Sequence, residues 1–437
     1  MSSAPRAASI GIDVGTSNTV VAVASADGRV ETIRFAHGGD SLSVYASTLC
    51  FWQERTGVAQ PPRVEGGPWA IEHFLEERTG LRFIQSFKTF AASRAFQSTM
   101  IFGQRFRFED LLVAFLQTLT GHIAESPDLS AARVVVGRPV CFAGASPDDA
   151  LAMQRYRDAF ARLGGGHARY VYEPVGAAFS FARDLESDAV VLVADFGGGT
   201  SDFSILRFSR VGGGLRAEPL GHAGVGVAGD TFDSRIVDRV ISPRLGKGSS
   251  YRSFGKVLPL PAHYHASLAR WNELALMKGS ADFRELRKLA RAALDPSPLD
   301  DFIQLVEDDL GFPLYRSVSA AKVALSAQDA VEFRFAEREL DIRSTITRAD
   351  FDTWIDDDLA RIMDSVDQAL ASAGIAPGDV DKVVLTGGTS FVPAVRRLFA
   401  DRFGGEKLTS ADHFESIAQG LALIGMTEDP DQWAAAG

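Results

Sequence analysis

Two short stretches of this chain set an aspartate, small residues and hydroxyls where an apolar strand turns back on itself: Asp13-Val-Gly-Thr-Ser-Asn18 and Asp195-Phe-Gly-Gly-Gly-Thr-Ser-Asp202. A loop of this composition directs backbone N–H groups at one point, where they meet anionic oxygens. In the first stretch Gly15 permits close approach, Thr16, Ser17 and Asn18 add polar contacts, and Asp13 is able to hold a magnesium ion through water. In the second, Gly197, Gly198 and Gly199 have little use in a sheet except to admit a ligand or a tight turn. A single Gly-Thr hairpin is usually no more than a hairpin. Two of them, each led by an aspartate, suit a clamp on one triphosphate, and their similarity points to an internal duplication and hence two lobes.

A third stretch, Val383-Val-Leu-Thr-Gly-Gly-Thr-Ser-Phe-Val-Pro393, reads as a strand, a glycine turn and a helix start whose positive end suits a nucleotide. Taken alone it is equally a tight strand–helix junction. The segment Gly224-Val-Gly-Val-Ala-Gly-Asp-Thr-Phe-Asp233 reads as a loop running into a helix capped by Asp230.

The elements that must position these loops alternate between β and α. Residues 9–25 form the first hairpin, a strand covers 46–52, helices cover 108–123 and 148–163, and a buried strand covers 132–137. Pro174 opens a helix over 175–185, where its missing N–H costs nothing. Strands over 188–194 and 202–208 make the second hairpin. Residues 259–327 are mostly helical, broken at Asp295-Pro-Ser-Pro. A β segment at 331–346 precedes a helix over 349–373 with Thr347 as N-cap and Gly374 as stop. A strand, turn and helix over 383–403 and a last helix over 415–425 complete the pattern.

Composition bounds the partners. The chain has 437 residues, 46% hydrophobic and 23% charged, which is ordinary for a globular protein of two or three compact units. Its formal charge of -11 works against non-specific nucleic acid or membrane binding, so a polyanionic ligand needs a local site. Cys50 and Cys141 are the only cysteines and have no CxxC or Cys/His spacing, which argues against a zinc site or disulfide framework. No signal peptide or membrane span is evident, and the expected location is cytoplasmic.

The three glycine motifs, in this order and with residues 170–181 before the second, resemble the DnaK-type heat shock protein 70 chaperones of the actin-like ATPase superfamily, along nearly the whole chain. The resemblance implies an α/β actin-like ATPase fold: two lobes, each with a ribonuclease-H-like mixed sheet flanked by helices, plus a helical subdomain in lobe II at about 259–327. It implies lobe I at 1–186, lobe II at 187–408, a return to lobe I at 409–425 and a short tail at 426–437. It also implies Mg-ATP as ligand and hydrolysis of the ATP. Lys88 in Gln85-Ser-Phe-Lys-Thr-Phe matches the family's catalytic lysine, and Glu173 in Tyr172-Glu-Pro-Val-Gly-Ala-Ala its water-orienting glutamate. Lys88 would then stabilise the developing charge and hold the attacking water, Glu173, Asp195 and Thr200 would orient that water, and Asp13 and Asp195 would share the magnesium shell. Without the resemblance, Lys88 reads as a solvated lysine and Glu173 as a carboxylate before a helix.

The implied nucleotide contacts continue through Gly229 and Asp230 to an adenosine end made by Ser319, Lys322, Val323 and Ser326 and by Gly387, Gly388, Thr389 and Phe391. Here the sequence departs from the family. Two arginines that sandwich the base are replaced by Val323 and Phe391, which implies weaker base selectivity, with Phe391 stacking on the base instead. After Met426 the chain offers no β-sandwich for peptides, a shape similar to the short YegD-type members. The implied function is a slow ATPase acting as a nucleotide-driven switch on an unidentified protein partner. Three other readings stay open: a filament-forming actin-like protein, a small-molecule kinase of the same superfamily, and a nucleotide sensor without hydrolysis.

Overall fold

The structure, a computed structural model, describes residues 7–53, 61–77, 80–123, 132–144, 146–182, 185–211, 214–410 and 415–435. Two mixed sheets of the same design dominate it. In the first, Ala7–Val14, Asn18–Ser25 and Val30–Thr32 form an antiparallel meander, while Arg133–Arg138 and then Arg169–Tyr172 add in parallel on the other side of Ala7–Val14. In the second, Ala189–Phe196, Ser201–Val211 and Gly214–Val225 make the meander, and Lys382–Thr386 and Leu408–Ser410 add in parallel beside Ala189–Phe196. Both sheets thus run three antiparallel strands and two parallel ones in the same spatial order. The repeat suggested by the two aspartate-led hairpins extends to the whole sheet, and each aspartate sits at the end of its sheet's first strand.

Strands covered on both faces read as unbroken apolar runs. Val134 and Val136 of the first sheet pack with Leu112, Phe115 and Phe160 from helices Phe108–Gly121 and Asp149–Arg162. Val135, on the opposite face, joins Val171, Leu421 and Ile424 and also Val191, Val193 and Val384 of the second sheet. One core therefore lies between the two sheets, filled by helices Glu173–Ala182 and Ser416–Met426. The two helices cross at glycines, because a Cβ on Gly420 would lie 1.7 Å from the Gly176 carbonyl oxygen. Strand Leu408–Ser410 still belongs to the second sheet, whereas Ser416–Met426 lies on the first.

Several expected elements shift. The strand at 46–52 is interrupted at Ser47 into Tyr45–Ala46 and Thr48–Trp52, and the latter pairs with Arg63–Gly66 and Leu81–Gln85 in a separate sheet. The helix at 349–373 divides at Ile355 into Arg348–Trp354 and Asp356–Ala373; Thr347 caps the first by accepting from the Asp350 N–H, and Gly374 ends the second at φ 67°. The helical region 259–327 holds five helices but is preceded by a hairpin, Ser250–Ser253 with Lys256–Pro259, that the sequence pattern did not suggest. The C-terminal stretch is docked: Trp433 is buried edge-on against Phe179, and the Ala435 N–H donates to the Tyr170 carbonyl. Among the described residues no helix is long and apolar enough to cross a membrane.

Candidate functional site

The tips of the two hairpins face each other across the cleft between the lobes. The first tip is braced from behind, since the Ser47 hydroxyl donates to the Gly15 carbonyl at 2.7 Å and the Ser47 N–H to the Ser17 carbonyl at 2.8 Å. The second closes on itself, Gly197 N–H to Thr200 carbonyl at 3.0 Å. The Thr200 hydroxyl donates to one oxygen of Asp202 at 2.7 Å. The other Asp202 oxygen accepts from the Val140 and Cys141 N–H groups at 2.7 and 3.1 Å, which ties the second hairpin to the first lobe. A Cβ on Gly198 would stand 2.5 Å from the Ser17 hydroxyl oxygen, and one on Gly199 3.1 Å from that of Thr16. The two tips nearly touch here, and a side chain at either glycine would have to displace the facing hydroxyl.

Helix Gly229–Ile236 begins behind the second tip, its Gly229 and Asp230 N–H groups donating to the Gly197 and Gly198 carbonyls. The cap is Ala228, with Asp230 in the first turn; the expectation of an Asp230 cap does not hold. These amides hold the glycine loop in place instead of facing the cleft.

Beneath the tips lies a buried ionic cluster. Lys88, on the 3-10 turn Phe87–Phe90, places its Nζ 2.7 Å from Glu173 Oε1, and both side chains are 7% exposed. Phe87, buried in the first lobe's core, anchors that turn. Burial, then repulsion from Glu173, pushes Asp13 up to about 8 against the pull of Lys88. The same causes, with Asp13 and Asp202 added, hold Asp195 well above the ordinary carboxylate range. Burial opposes charge on Lys88, but Glu173, Tyr156 and Asp13 outweigh it and keep the ammonium strongly protonated. Four carboxylates, Asp13, Glu173, Asp195 and Asp202, here share one lysine. A surplus of this kind fits a cation. Among the described residues no three His, Cys, Asp or Glu side chains converge as direct ligands, so the donor set suits an ion held through its water shell.

The cleft widens toward the second lobe to about 1110 Å³ in all, open mouth included, which is ample for a nucleotide. There Lys322 Nζ lies 2.7 Å from Asp233 Oδ1 and donates to the Gly229 carbonyl at 3.0 Å, while the Trp271 indole N–H donates to the other Asp233 oxygen at 3.3 Å. Asp230 is pushed up to about 7 by burial and by Asp233, with Lys322 opposing. Ser319 and Val323 on helix Gly311–Ala327 line one side and Gly387, Gly388 and Thr389 the other.

The structure brings Asp13, Gly15, Thr16, Ser17, Asn18, Lys88, Glu173, Asp195, Gly197, Gly198 and Thr200 into one wall of this cleft. Gly199, Ser326 and Phe391 are not on that wall. Gly199 fills the contact between tips, Ser326 Oγ turns to the Lys322 carbonyl at 3.5 Å, and Phe391 stands 49% exposed on the turn Gly388–Phe391. Ser47, Asp233 and Tyr315 were missed. Ser47, in the break between two short strands, and Tyr315, on helix Gly311–Ala327, lie far along the chain from the tips with no motif to announce them, whereas Asp233 closes a segment that the sequence had already singled out.

A family model described as Hsp70 protein matches residues 87–246 and 307–434. The Chaperone protein HscA homolog of Bordetella pertussis is 28% identical over 446 residues, 96% of this chain and 58% of that protein. The Chaperone protein DnaK of Deinococcus proteolyticus is 24% identical over 428 residues, 95% of this chain and 59% of the relative. The Chaperone protein HscA of Salmonella typhimurium is 30% identical over 310 residues, 70% of this chain and 39% of the relative. The chain spans under three fifths of the length of such relatives, about 58–59% for the two matched along nearly all of it. A match over well more than half of the chain, on twin sheets whose hairpin tips meet above a buried Lys–Glu pair, carries the conclusion: the chain belongs to the Hsp70 family and has its actin-like ATPase fold.

Proposed function

We propose that the cleft binds ATP with magnesium and slowly hydrolyses its γ-phosphate, and that closure of the lobes on the nucleotide acts as a switch for a protein partner. The observation that carries this reading is the meeting of two glycine-threonine tips directly over the Lys88–Glu173 pair. In this reading the tips hold the phosphates by N–H and hydroxyl donors. Lys88 stabilises charge on the transferred group, and Glu173, Asp195 and Thr200 orient the attacking water. Asp13 and Asp195 would hold a magnesium ion, which would supply positive charge beside the phosphates. Lys322, Ser319 and the Gly387–Gly388 turn hold the nucleoside. The division into lobe I at 1–186, lobe II at 187–408 and a return at 409–425 describes the parts that close. Relatives named as chaperones support a chaperone-like role, and we place the protein in the cytoplasm. The test is phosphate release by the purified chain from ATP, with magnesium and with a chelator: slow release that the chelator abolishes is expected, and no release in either condition refutes the hydrolytic part.

The ionic cluster predicts a pH dependence. Asp13 at about 8, and Asp202 and Asp230 at about 7, stand above the ordinary 3.8, so between these values the folded chain binds more protons than the unfolded one. The stability this contributes is complete below the ordinary value and is lost as pH rises through 7 to 8. Ligand-free protein should therefore melt lower at about pH 8.5 than at about pH 6, and magnesium with ATP should recover most of the loss. Equal melting temperatures across this range contradict the cluster's charge balance.

The base end predicts tolerance. Val323 is 66% exposed and Phe391 lies off the wall, so neither holds the edge of a base. Calorimetric titration should find ATP and GTP within about tenfold in Kd, that is within about 1.4 kcal/mol. A preference of a hundredfold or more for ATP contradicts this reading.

A further inference from the structure

Lys88 and Glu173 are held in unlike ways. Glu173 opens helix Glu173–Ala182, whose first turns are buried between the sheets, whereas Lys88 sits on the four-residue 3-10 turn Phe87–Phe90. The hydrogen bonds of such a turn are poorly aligned, and this one starts from a left-handed Ser86 at φ 52°. It also lies against the second tip, since a Cβ on Gly199 would stand 3.6 Å from the Thr89 methyl carbon. The place of the ammonium under the tips therefore depends on what holds the chain on either side of the turn.

On the C-terminal side that support centres on one side chain. Arg155 falls on the buried face of helix Asp149–Arg162 with Ala152, Tyr156 and Ala159, where an arginine is out of place unless its donors are met. It is 7% exposed. Its Nη1 donates to the carbonyls of Phe90 and Ala91 at 2.8 Å each and to that of Ser93 at 3.2 Å, and its Nη2 to that of Phe96 at 2.7 Å. All four acceptors are main-chain carbonyls, which the rigid planar fork of a guanidinium is able to gather at once. Asp148, the acid that caps the same helix, pairs with Arg94 instead. Phe90 and Phe96, the two ends of the gathered stretch, stack at 4.4 Å, and the Arg155 guanidinium carbon lies over the Phe108 ring at 5.9 Å. Ala91 connects this knot to the lysine: its carbonyl accepts from Arg155, and its N–H donates to the Lys88 carbonyl at 2.9 Å.

We propose that Arg155 is a further positioning residue of the site, which fixes Lys88 beneath the phosphate tips by gathering the main chain of residues 90–96. This rests on the nucleotide reading above and adds to it the means by which the lysine is aimed. Arg155 touches neither the tips nor the cleft wall, so nucleotide binding does not use it. Cleavage does, because it needs the ammonium in one place.

The test is single-turnover cleavage of ATP by the full chain, beside calorimetric titration with ADP, for wild type, Arg155→Met, Lys88→Met and the double variant. Arg155→Met keeps an unbranched stem beside Phe108 and removes the fork. It should cleave on the order of tenfold more slowly, since a catalytic group displaced by about 1 Å costs up to about a hundredfold. Its Kd for ADP should stay within about twofold of wild type. Because Arg155 acts through Lys88, the double variant should cleave no more slowly than Lys88→Met alone, the signature of coupled residues. Arg155→Lys, which keeps the charge but loses the fork, carries the same comparison if Arg155→Met does not fold. Wild-type cleavage by the Arg155 variant, or the same fold loss with and without Lys88, overturns the positioning role while leaving the nucleotide reading intact. A wild-type chain that binds ADP but cleaves no ATP overturns the hydrolytic reading and the positioning role with it.

Discussion

Lys88→Met is expected to lower ATP turnover by at least about a hundredfold, the scale seen when one donor to developing charge is removed from a preorganised site. Methionine keeps the length of the stem and removes the ammonium, so the hairpin tips retain their N–H groups and nucleotide should still bind. The loss is electrostatic. Among the described residues, Lys88 is the cation that opposes Asp13, Glu173, Asp195 and Asp202. Without it Glu173 is left buried and unpaired, and breaking such a pair costs about 3–5 kcal/mol when the other charge cannot escape. Proton uptake by the cluster relieves part of that cost, so the variant should melt lower, and more so at high pH than at low pH. Phosphate release and calorimetric binding, measured on the same preparation, separate the two effects. Turnover within tenfold of wild type shows that Lys88 is structural.

Gly387→Ala should be the most damaging single methyl group in the site. Gly387 has φ 83° and ψ 159°, a region that is essentially reserved for glycine, and a Cβ there would stand 2.1 Å from the Phe196 carbonyl oxygen. The obstacle is backbone, at the end of the strand that carries Asp195, so no side-chain rotation relieves it. Either the Gly387–Phe391 turn moves away from the second hairpin or the hairpin moves out of line with the first. Backbone strain alone costs of order 1–3 kcal/mol. Both the melting temperature and the affinity for ATP should fall, the latter on the order of tenfold or more as the nucleoside wall separates from the phosphate tips. Gly388→Ala, where no atom stands within 4 Å of the added Cβ, is the matched control and should bind nearly as wild type. Equal affinities in the two variants contradict this account of the turn.

The parts of the site that were legible in the sequence are those where chemistry restricts residue type. Loops that bring backbone N–H groups to an anion need glycine at particular positions, and apolar strands must lead into them, so the tips at Asp13 and Asp195 could be recognised without a structure. Lys88 and Glu173 were a different case, since a lone lysine has no local signal. Their roles were suggested only by the resemblance, and their pairing at 2.7 Å is a tertiary fact that no reading of the sequence had named. Ser47 was invisible because it acts across a long sequence separation on a loop it does not adjoin, and Tyr315 because it lines the cleft from a helix with no motif of its own. Phe391 was expected over the base, but the tight 3-10 turn Gly388–Phe391 leaves its ring half exposed beside the cleft.

For the fold, continuous valine runs identified the strands at 132–137 and 188–194 because both of their faces are covered. The hairpin Ser250–Ser253 with Lys256–Pro259 left no comparable pattern: Val257 and Leu258 are exposed, so no alternation with a buried face marks it. The division of the helix at Ile355 was equally hidden, since Asp356, Asp357 and Asp358 follow it as first-turn acids that suit a new helix start as well as a helix surface.

The central claim, that two hairpin tips clamp one triphosphate, is tested most directly by a crystal structure of the chain with magnesium and a non-hydrolysable ATP analogue. The account predicts the β- and γ-phosphates between Thr16–Ser17 and Gly197–Thr200, with Lys88 beside the γ-phosphate. Phosphates bound elsewhere, or a cleft that stays empty at saturating analogue, would contradict it.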